Sequence, residues 1–550
     1  MLYQLIRIQI LDYKKYSSLA FSQQFKKLDI PTRRGLIFDR NGVKLAESIQ
    51  TNSVFADPFL IKDKKRTSQV ISNVLQLDSA RVLNLLNKKK RFVWIRRRIT
   101  DKQADAIREL NLKGIGFRHE NKRVYPYGKL CSHVLGFTDV DENGLEGVEN
   151  SLNHILSGNK GYKVIETDGR QRQFSTLDEE TVSARYGNSV FLTIDCEIQS
   201  IVEDELEDAC LKWRANSATA IVIDPSTGEV LAMANYPAFD PNFVQNSKPH
   251  ERRNRVITDC FEPGSLIKPI IVCGALDGGL VKENEMFFCH NGNYRVRKRV
   301  IRDVHPYNYL TVSEIVINSS NIGMAQLGML MERKRLYNHL KNFSFGEKTG
   351  IQLPGEARGI VRPLRLWSTD SAISVAFGYE TAVTPMQLST AFCSIANGGM
   401  LLKPQIIHAI TDYSGKRVKK KFGTAERIRR VITPKVSREI MTPILENVIK
   451  EGTGKRAGLL AYRIAGKTGT AKKLRRVGGR MEYSNNKYVS SFVGYAPVND
   501  PRICVLVSLN EPKNGAYYGG TVAAPAVRNI IERALHYMRV ESQHVQVAQK

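Results

Sequence analysis

"FEPGSLIKPI" (261–270) places Ser265 and Lys268 three positions apart, between a Pro–Gly turn and an apolar run. Pro269 is tolerated in a helix only in the first turn, where its missing N–H costs no hydrogen bond. The helix is therefore expected to begin near Ser265 and to continue through "SLIKPIIVCGAL" (265–276). Residues at i and i+3 share a face, so the Ser265 hydroxyl and the Lys268 amine are expected to meet. The free N–H groups and positive dipole of a helix start favour developing negative charge there. A serine is a weak nucleophile until a base takes its proton. A lysine among apolar neighbours can have the lowered pKa of such a base. The same residues equally describe a serine N-cap followed by a solvated lysine, and S-x-x-K alone does not separate the two.

Two further stretches carry polar groups at unusual places. In "NSSNIGMAQLG" (318–328), Ser319 and Asn321 form a polar knot before an apolar helical run. Taken alone, this is also a plain helix cap. In "AGKTGTAKK" (465–473), on a predicted strand, Gly469 allows close approach of a ligand backbone. Lys467 offers a cation for a carboxylate, and Thr468 and Thr470 offer hydroxyls. Taken alone, it is also a glycine-containing edge strand. A P-loop is excluded, because Ala461 stands where the glycine upstream of "GK" must be, and Ile449 fails the neighbouring "GTGK" (452–455) in the same way. No HExxH occurs and the 10 histidines are scattered, so no metal site is expected.

The chain of 550 residues is long enough for several domains, and 42% hydrophobic with 25% charged residues is ordinary for globular protein. Lys plus Arg number 82 against 54 for Asp plus Glu, a net charge of +28. That surplus suggests an anionic neighbour such as an acidic membrane surface or a polyanionic wall. The basic runs "FVWIRRR" (92–98), "YRVRKRVIR" (294–302) and "KRVKKKF" (416–422) match no nucleic-acid-binding pattern, so nucleic acid is not expected as a partner. "MLYQLIRIQIL" (1–11) is too short to span a bilayer and carries Arg7. It reads either as the wet end of a membrane helix or as an amphipathic start. The 8 cysteines form no CxxC and read mostly as small buried hydrophobes.

Residues 31–185 are polar, with turn signals at "DRNG" (39–42), "DENG" (141–144) and "SGNKG" (157–161), and read as a mixed module of short strands and helices. "ATAIVID" (218–224) and "EVLAMAN" (229–235) flank "PSTG" as a hairpin. The chain then reads as helical from 265 to about 455. Strand-like runs return at 462–473, 488–497 and 502–510, before a final helix over 523–538. Strands early and late predict one sheet assembled from both ends of the domain.

S-x-x-K, S-x-N and K-T-G in this order resemble the penicillin-recognising serine acyltransferases. "RRGLIFDRNGVKLAES" (33–48), "RVYPYG" (123–128) and "LGFTDVDENGLEGVE" (135–149) are similar to the N-terminal module of class B penicillin-binding proteins. "AIVIDPSTGEVLAMANYPAFDPN" (220–242), "RVITDCFEPGSLIKP" (255–269), "FGYETAVTPMQL" (377–388) and "YYGGTVAAP" (517–525) resemble their transpeptidase domain. "SSN", and "KTGTAKK" followed by "NKYVSSFVGYAP", look most like the septal, FtsI-like branch.

The resemblance implies an α+β/α/β fold: an antiparallel β-sheet flanked by helices, an all-helical subdomain, and an elongated mixed α/β N-terminal pedestal. The domains implied are a juxtamembrane segment at 1–30, a dimerisation or pedestal domain at 31–185, a transpeptidase domain at 190–540 and a tail at 541–550. The implied activity is peptidoglycan D,D-transpeptidation in septal wall synthesis, without cofactor or metal. A D,D-carboxypeptidase, or a β-lactam sensor or divisome scaffold on the same fold, is the alternative.

Ser265 is the implied nucleophile and Lys268 its base. Ser319 relays the proton, and Asn321 orients the donor peptide and Lys268. Lys467 is also catalytic, holding the network's charge; Lys467, Thr468, Gly469 and Thr470 bind substrate, and the Ser265 and Thr470 backbone N–H groups form the oxyanion hole. Implied partners are stem peptides, lipid-linked precursor, β-lactams and division-site membrane proteins including a glycan polymerase. The implied location is the cytoplasmic membrane, catalytic domain outward, with the anchor itself not seen in this sequence.

Overall fold

The computed structural model describes residues 6–17, 25–30, 32–167, 173–297, 299–422, 425–478 and 480–542. Residues 1–5 of the opening apolar stretch and 543–550 of the expected tail lie outside them.

In the N-terminal half, strand β1 (Lys44–Ala56) pairs antiparallel with β2 (Val93–Ile99) and β3 (Ile115–Val124). Helices α1 (Lys64–Leu75), α2 (Ser79–Leu86) and α3 (Asp101–Glu109) pack on them. Each start is capped by the expected chemistry. Asp63 and Asp78 accept backbone N–H groups of α1 and α2, and Thr100 with Gln103 makes a capping box on α3. Val54, Ile71, Leu75, Val82, Leu86 and Ile107 close this core.

A seven-stranded sheet runs from this half into the rest of the chain. Its joint is β4 (Ser189–Leu192), parallel to Ile37–Phe38 on one side and antiparallel to Ile407–Thr411 on the other. Beside the joint, Glu149 is fully buried between Arg34 and Arg123, with Nε–O distances of 2.6 Å to each.

Helix α4 (Cys196–Lys212) leads into the hairpin of β5 (Ser217–Ile223) and β6 (Val230–Tyr236). Helix α5 (Lys268–Asp277) follows, then the hairpin β7 (Asn293–Val296)–β8 (Arg299–Arg302). Helices α6 (Asn321–Asn342), α7 (Pro385–Ala396) and α8 (Thr442–Lys450) come next. Strands β9 (Ala465–Val477), β10 (Arg480–Ala496) and β11 (Ile503–Asn510) precede the last helix, α9 (Ala524–Tyr537). The late strands join the early hairpin in one antiparallel sheet of order β6-β5-β11-β10-β9, as the sequence led us to expect.

Strand β5 is buried along its whole length. Ala218, Ala220 and Val222 face the core under α4 and α9, whereas Ile221 and Ile223 face the one containing α5 and α7. Such a strand reads as continuously apolar, because both faces are covered. Helix α5 is buried on all sides, which explains its lack of a polar stripe.

The region 265–455 is less uniformly helical than its sequence suggested. Among its helices lie the β7–β8 hairpin and the pairs Met286–Phe288 with Tyr309–Thr311, Met400–Leu402 with Arg427–Arg430, and Ile407–Thr411 with Val418–Lys421. Tyr294–Arg297 alternate apolar and charged residues with a period of two, and Asn293–Val296 pairs antiparallel with Arg299–Arg302 as a hairpin. Among the described residues no helix is long and apolar enough to cross a membrane. All 8 cysteines are free thiols, and every one but Cys260 is buried.

Candidate active site

Pro263 and Gly264 turn the chain, with Gly264 at φ +51°. A 3₁₀ turn over Gly264–Ile267 then presents Ser265, and α5 begins at Lys268 with Pro269 in its first turn. The turn is pressed against β9. A Cβ on Gly264 would stand 3.1 Å from the Thr470 carbonyl oxygen, and one on Gly469 would stand 2.6 Å from Leu266 Cγ. The space freed at Gly469 is therefore filled by Leu266, so the glycine allows the strand to seat on the serine turn.

Lys268 is fully buried. Its amine donates to the Ser319 carbonyl at 2.7 Å, Asn321 Oδ1 at 2.8 Å, the Ser320 carbonyl at 3.2 Å and Ser319 Oγ at 3.3 Å. The expected Ser265–Lys268 hydrogen bond is absent among the described residues. A buried amine takes the carbonyl and amide oxygens that can satisfy several N–H groups, and the S-x-N turn supplies them. That supply depends on Ser319 at φ +59°, which turns its carbonyl toward Lys268. Ser265 is half-buried and opens onto a cavity of about 1230 Å³ lined also by Ser319, Asn321, Thr468 and Thr470.

Lys467 is likewise fully buried, and its amine lies 3.1 Å from Ser319 Oγ. Ser319 Oγ thus accepts from both lysines. Burial pushes the Lys268 pKa down to about 7, against the opposing pull of Asp303. Burial, and then the charge of Lys268, hold Lys467 well below the usual lysine value. The site therefore favours neutral or singly protonated amines. Thr468 Oγ1 bonds Thr453 Oγ1 at 2.8 Å, and Thr470 Oγ1 accepts from the Gly519 N–H at 3.0 Å. Strand β9 forms one edge of its sheet, leaving a side open for an added strand.

Ser265, Lys268, Ser319, Asn321, Lys467, Thr468, Gly469 and Thr470 thus converge from three separate segments on one cavity or the shell directly beneath it. Residues 218–532 match the family described as the penicillin binding protein transpeptidase domain. The chain belongs to the penicillin-binding proteins. Residues 29–192 match the penicillin-binding protein dimerisation domain, completing the two-module order of the class B proteins.

The peptidoglycan D,D-transpeptidase FtsI of Escherichia coli K12 is 35% identical over 520 residues, covering 93% of this chain and 85% of that protein. Stage V sporulation protein D of Bacillus subtilis is 34% identical over 550 residues, covering 99% and 84%. Among solved structures, a peptidoglycan synthetase from Bifidobacterium adolescentis superposes with a TM-score of 0.76 at 26% identity, covering 94% of this chain and 98% of that one. Penicillin binding protein 3 of Mycobacterium tuberculosis in complex with ampicillin gives 0.73 at 26%, covering 94% and 97%.

Several residues of this penicillin-binding protein site were not legible as such in the sequence. Asp303 accepts from the backbone N–H groups of Asn321 and Ile322 and from the Ser320 hydroxyl. Tyr483, on the β9–β10 hairpin, donates to Glu262 just before the serine turn, at 3.1 Å. Thr453 and Gly519 hold the two threonine hydroxyls. Of Asp303, Tyr483, Thr453 and Gly519, only Gly519 lies in a stretch that resembles the family, "YYGGTVAAP"; the other three lie in none of those stretches.

Proposed function

We propose that this protein is a peptidoglycan D,D-transpeptidase acting through an acyl-Ser265 intermediate, and a target of β-lactams. The observation that carries this reading is the amine–hydroxyl–amine chain Lys268–Ser319–Lys467 beneath a nucleophile-bearing turn. Ser265 Oγ attacks the penultimate D-Ala carbonyl of a donor stem peptide, while neutral Lys268 takes the hydroxyl proton. The Ser265 and Thr470 backbone N–H groups receive the developing oxyanion. Ser319 passes the proton to the departing D-Ala nitrogen as the C–N bond breaks. Lys467, with the Thr468 and Thr470 hydroxyls, receives the terminal carboxylate, and Asn321 orients both the donor amide and Lys268. The donor adds as a strand along the open edge of β9, with Gly469 at its centre. An amine of a second stem peptide then attacks the acyl-enzyme and forms the crosslink.

The septal role, lipid-linked precursor, a glycan polymerase and other division-site membrane proteins as partners, and a cytoplasmic-membrane location with the catalytic domain outward belong to the same proposal. The likeness to FtsI supports them. Fluorescent penicillin tests the mechanism: labelling is expected at Ser265 and is lost in Ser265→Ala, and labelling that survives the substitution refutes it. Crosslinked product from lipid-linked precursor, supplied with an active polymerase, separates an enzyme from a sensor.

A further inference from the structure

The start of α6 has two caps where one would serve. Ser320 is its N-cap, and its Oγ accepts from the Gly323 N–H at 3.0 Å. Asp303, at the end of the β7–β8 hairpin, adds a carboxylate. Its Oδ1 accepts from Asn321 N–H at 2.5 Å and Ile322 N–H at 3.1 Å, and its Oδ2 accepts from the Ser320 hydroxyl at 2.6 Å. The residue before it joins in, since the Arg302 carbonyl accepts from Asn321 Nδ2 at 3.1 Å. The hairpin is itself tied down, by Arg297 to Asp370 at 2.6 Å and by Arg299 to Ser374 Oγ at 2.8 Å.

This clamp acts on the atoms that hold Lys268. The Ser319 and Ser320 carbonyls and Asn321 Oδ1 are three of the four acceptors of its amine, and the backbone that carries them is the backbone Asp303 grips. Ser319 is also in the left-handed region, which a non-glycine residue keeps only where its surroundings enforce it. A charge reaching a site of low dielectric has a second effect, because its interactions there are little screened.

The charged groups acting on the Lys268 ammonium are Asp303 and, from β9, Lys467. On the elements packed against α5, His339 of α6 is kept neutral by burial and bonds the Ile270 carbonyl, while Glu314, Lys435, Arg438 and Glu439 are exposed. On α5 itself, burial keeps the Cys273 thiol protonated, and Asp277 lies at the far end.

We propose that Asp303 is a positioning residue for acylation of Ser265, clamping the Ser319–Asn321 turn over Lys268 and providing the negative charge that balances its ammonium. This inference rests on the acyl-serine reading above. It differs from an ordinary capping role in predicting a change in pH dependence.

The experiment measures acylation by fluorescent penicillin against pH, with thermal melting as a check of folding. Asp303→Asn keeps the shape, loses the charge and cannot accept all three hydrogen bonds. Its plateau rate is expected to fall by about tenfold or more, and its acid limb to move about one unit toward lower pH, because the ammonium loses its counter-charge. Asp303→Glu is expected to lower the plateau with the limb unmoved. An Asn variant with unchanged plateau, or with a lower plateau and an unmoved limb, overturns the proposal. Should Asp303→Asn fail to fold, Ser320→Ala removes one bond and keeps the carboxylate. A lower plateau with an unmoved limb then supports the clamp, and an unchanged plateau overturns it. If wild-type labelling depends on Ser265 while the Asp303 variants behave as wild type, this inference fails alone. If labelling does not depend on Ser265, the underlying reading fails.

Discussion

The hydroxyl of Ser319 lies 3.1 Å from the amine of Lys467, on the edge strand of a sheet, and 3.3 Å from the amine of Lys268, on a buried helix. One small side chain therefore connects two amines that repel each other when both are protonated. Its removal is expected to disconnect the proton path without disturbing the fold. Ser319→Ala should lower the acylation rate by about 100–10,000-fold, leaving the melting temperature close to wild type. Stopped-flow acylation and calorimetry read the two effects.

The pH dependence follows from Lys268, whose pKa is lowered to about 7 by burial. Below that pH the amine is protonated and cannot accept the Ser265 proton. Above it the neutral amine predominates. Acylation should therefore rise with pH and level off above an apparent pKa of about 7. An acid limb at the ordinary lysine value would contradict this assignment. Lys268→Arg, which keeps the charge but cannot be deprotonated, should be inactive at every pH.

Gly469 provides a packing test. A Cβ there would meet Leu266 Cγ at 2.6 Å, which forces the serine turn away from β9. Gly469→Ala should destabilise the fold by about 1–3 kcal/mol and slow acylation. Leu266→Ala in the same chain clears the clash, so the double variant should acylate faster than Gly469→Ala alone. Kinetics of the double-mutant cycle decide the matter.

At the joint between the chain's halves, Glu149 is the shared partner of Arg34 and Arg123, all three buried. Glu149→Gln strands two guanidinium charges in a dry interior. It should cost about 3–5 kcal/mol of stability, measured by urea unfolding. Because none of these three residues lines the cavity, labelling of Ser265 in the fraction that stays folded should be near normal.

Much of the catalytic layout is local and was therefore legible in the sequence. Pro263–Gly264 and Pro269 fix where a turn ends and a helix begins, because proline and glycine restrict or release backbone angles regardless of distant partners. The alternation and apolar runs of 218–235 and 488–510 define strands for the same reason. The order S-x-x-K, S-x-N, K-T-G named the chemistry even before the three were brought together.

Partnership was decided by the tertiary structure. Lys268 bonds the S-x-N turn instead of its neighbour Ser265, because a buried amine goes wherever the fold offers several oxygens. Gly469 accommodates Leu266, and Asp303 reaches α6 from the end of a charge-rich hairpin. These contacts join residues far apart in sequence. No local periodicity encodes them, and they exist only once the sheet and the buried helices have closed around the cavity.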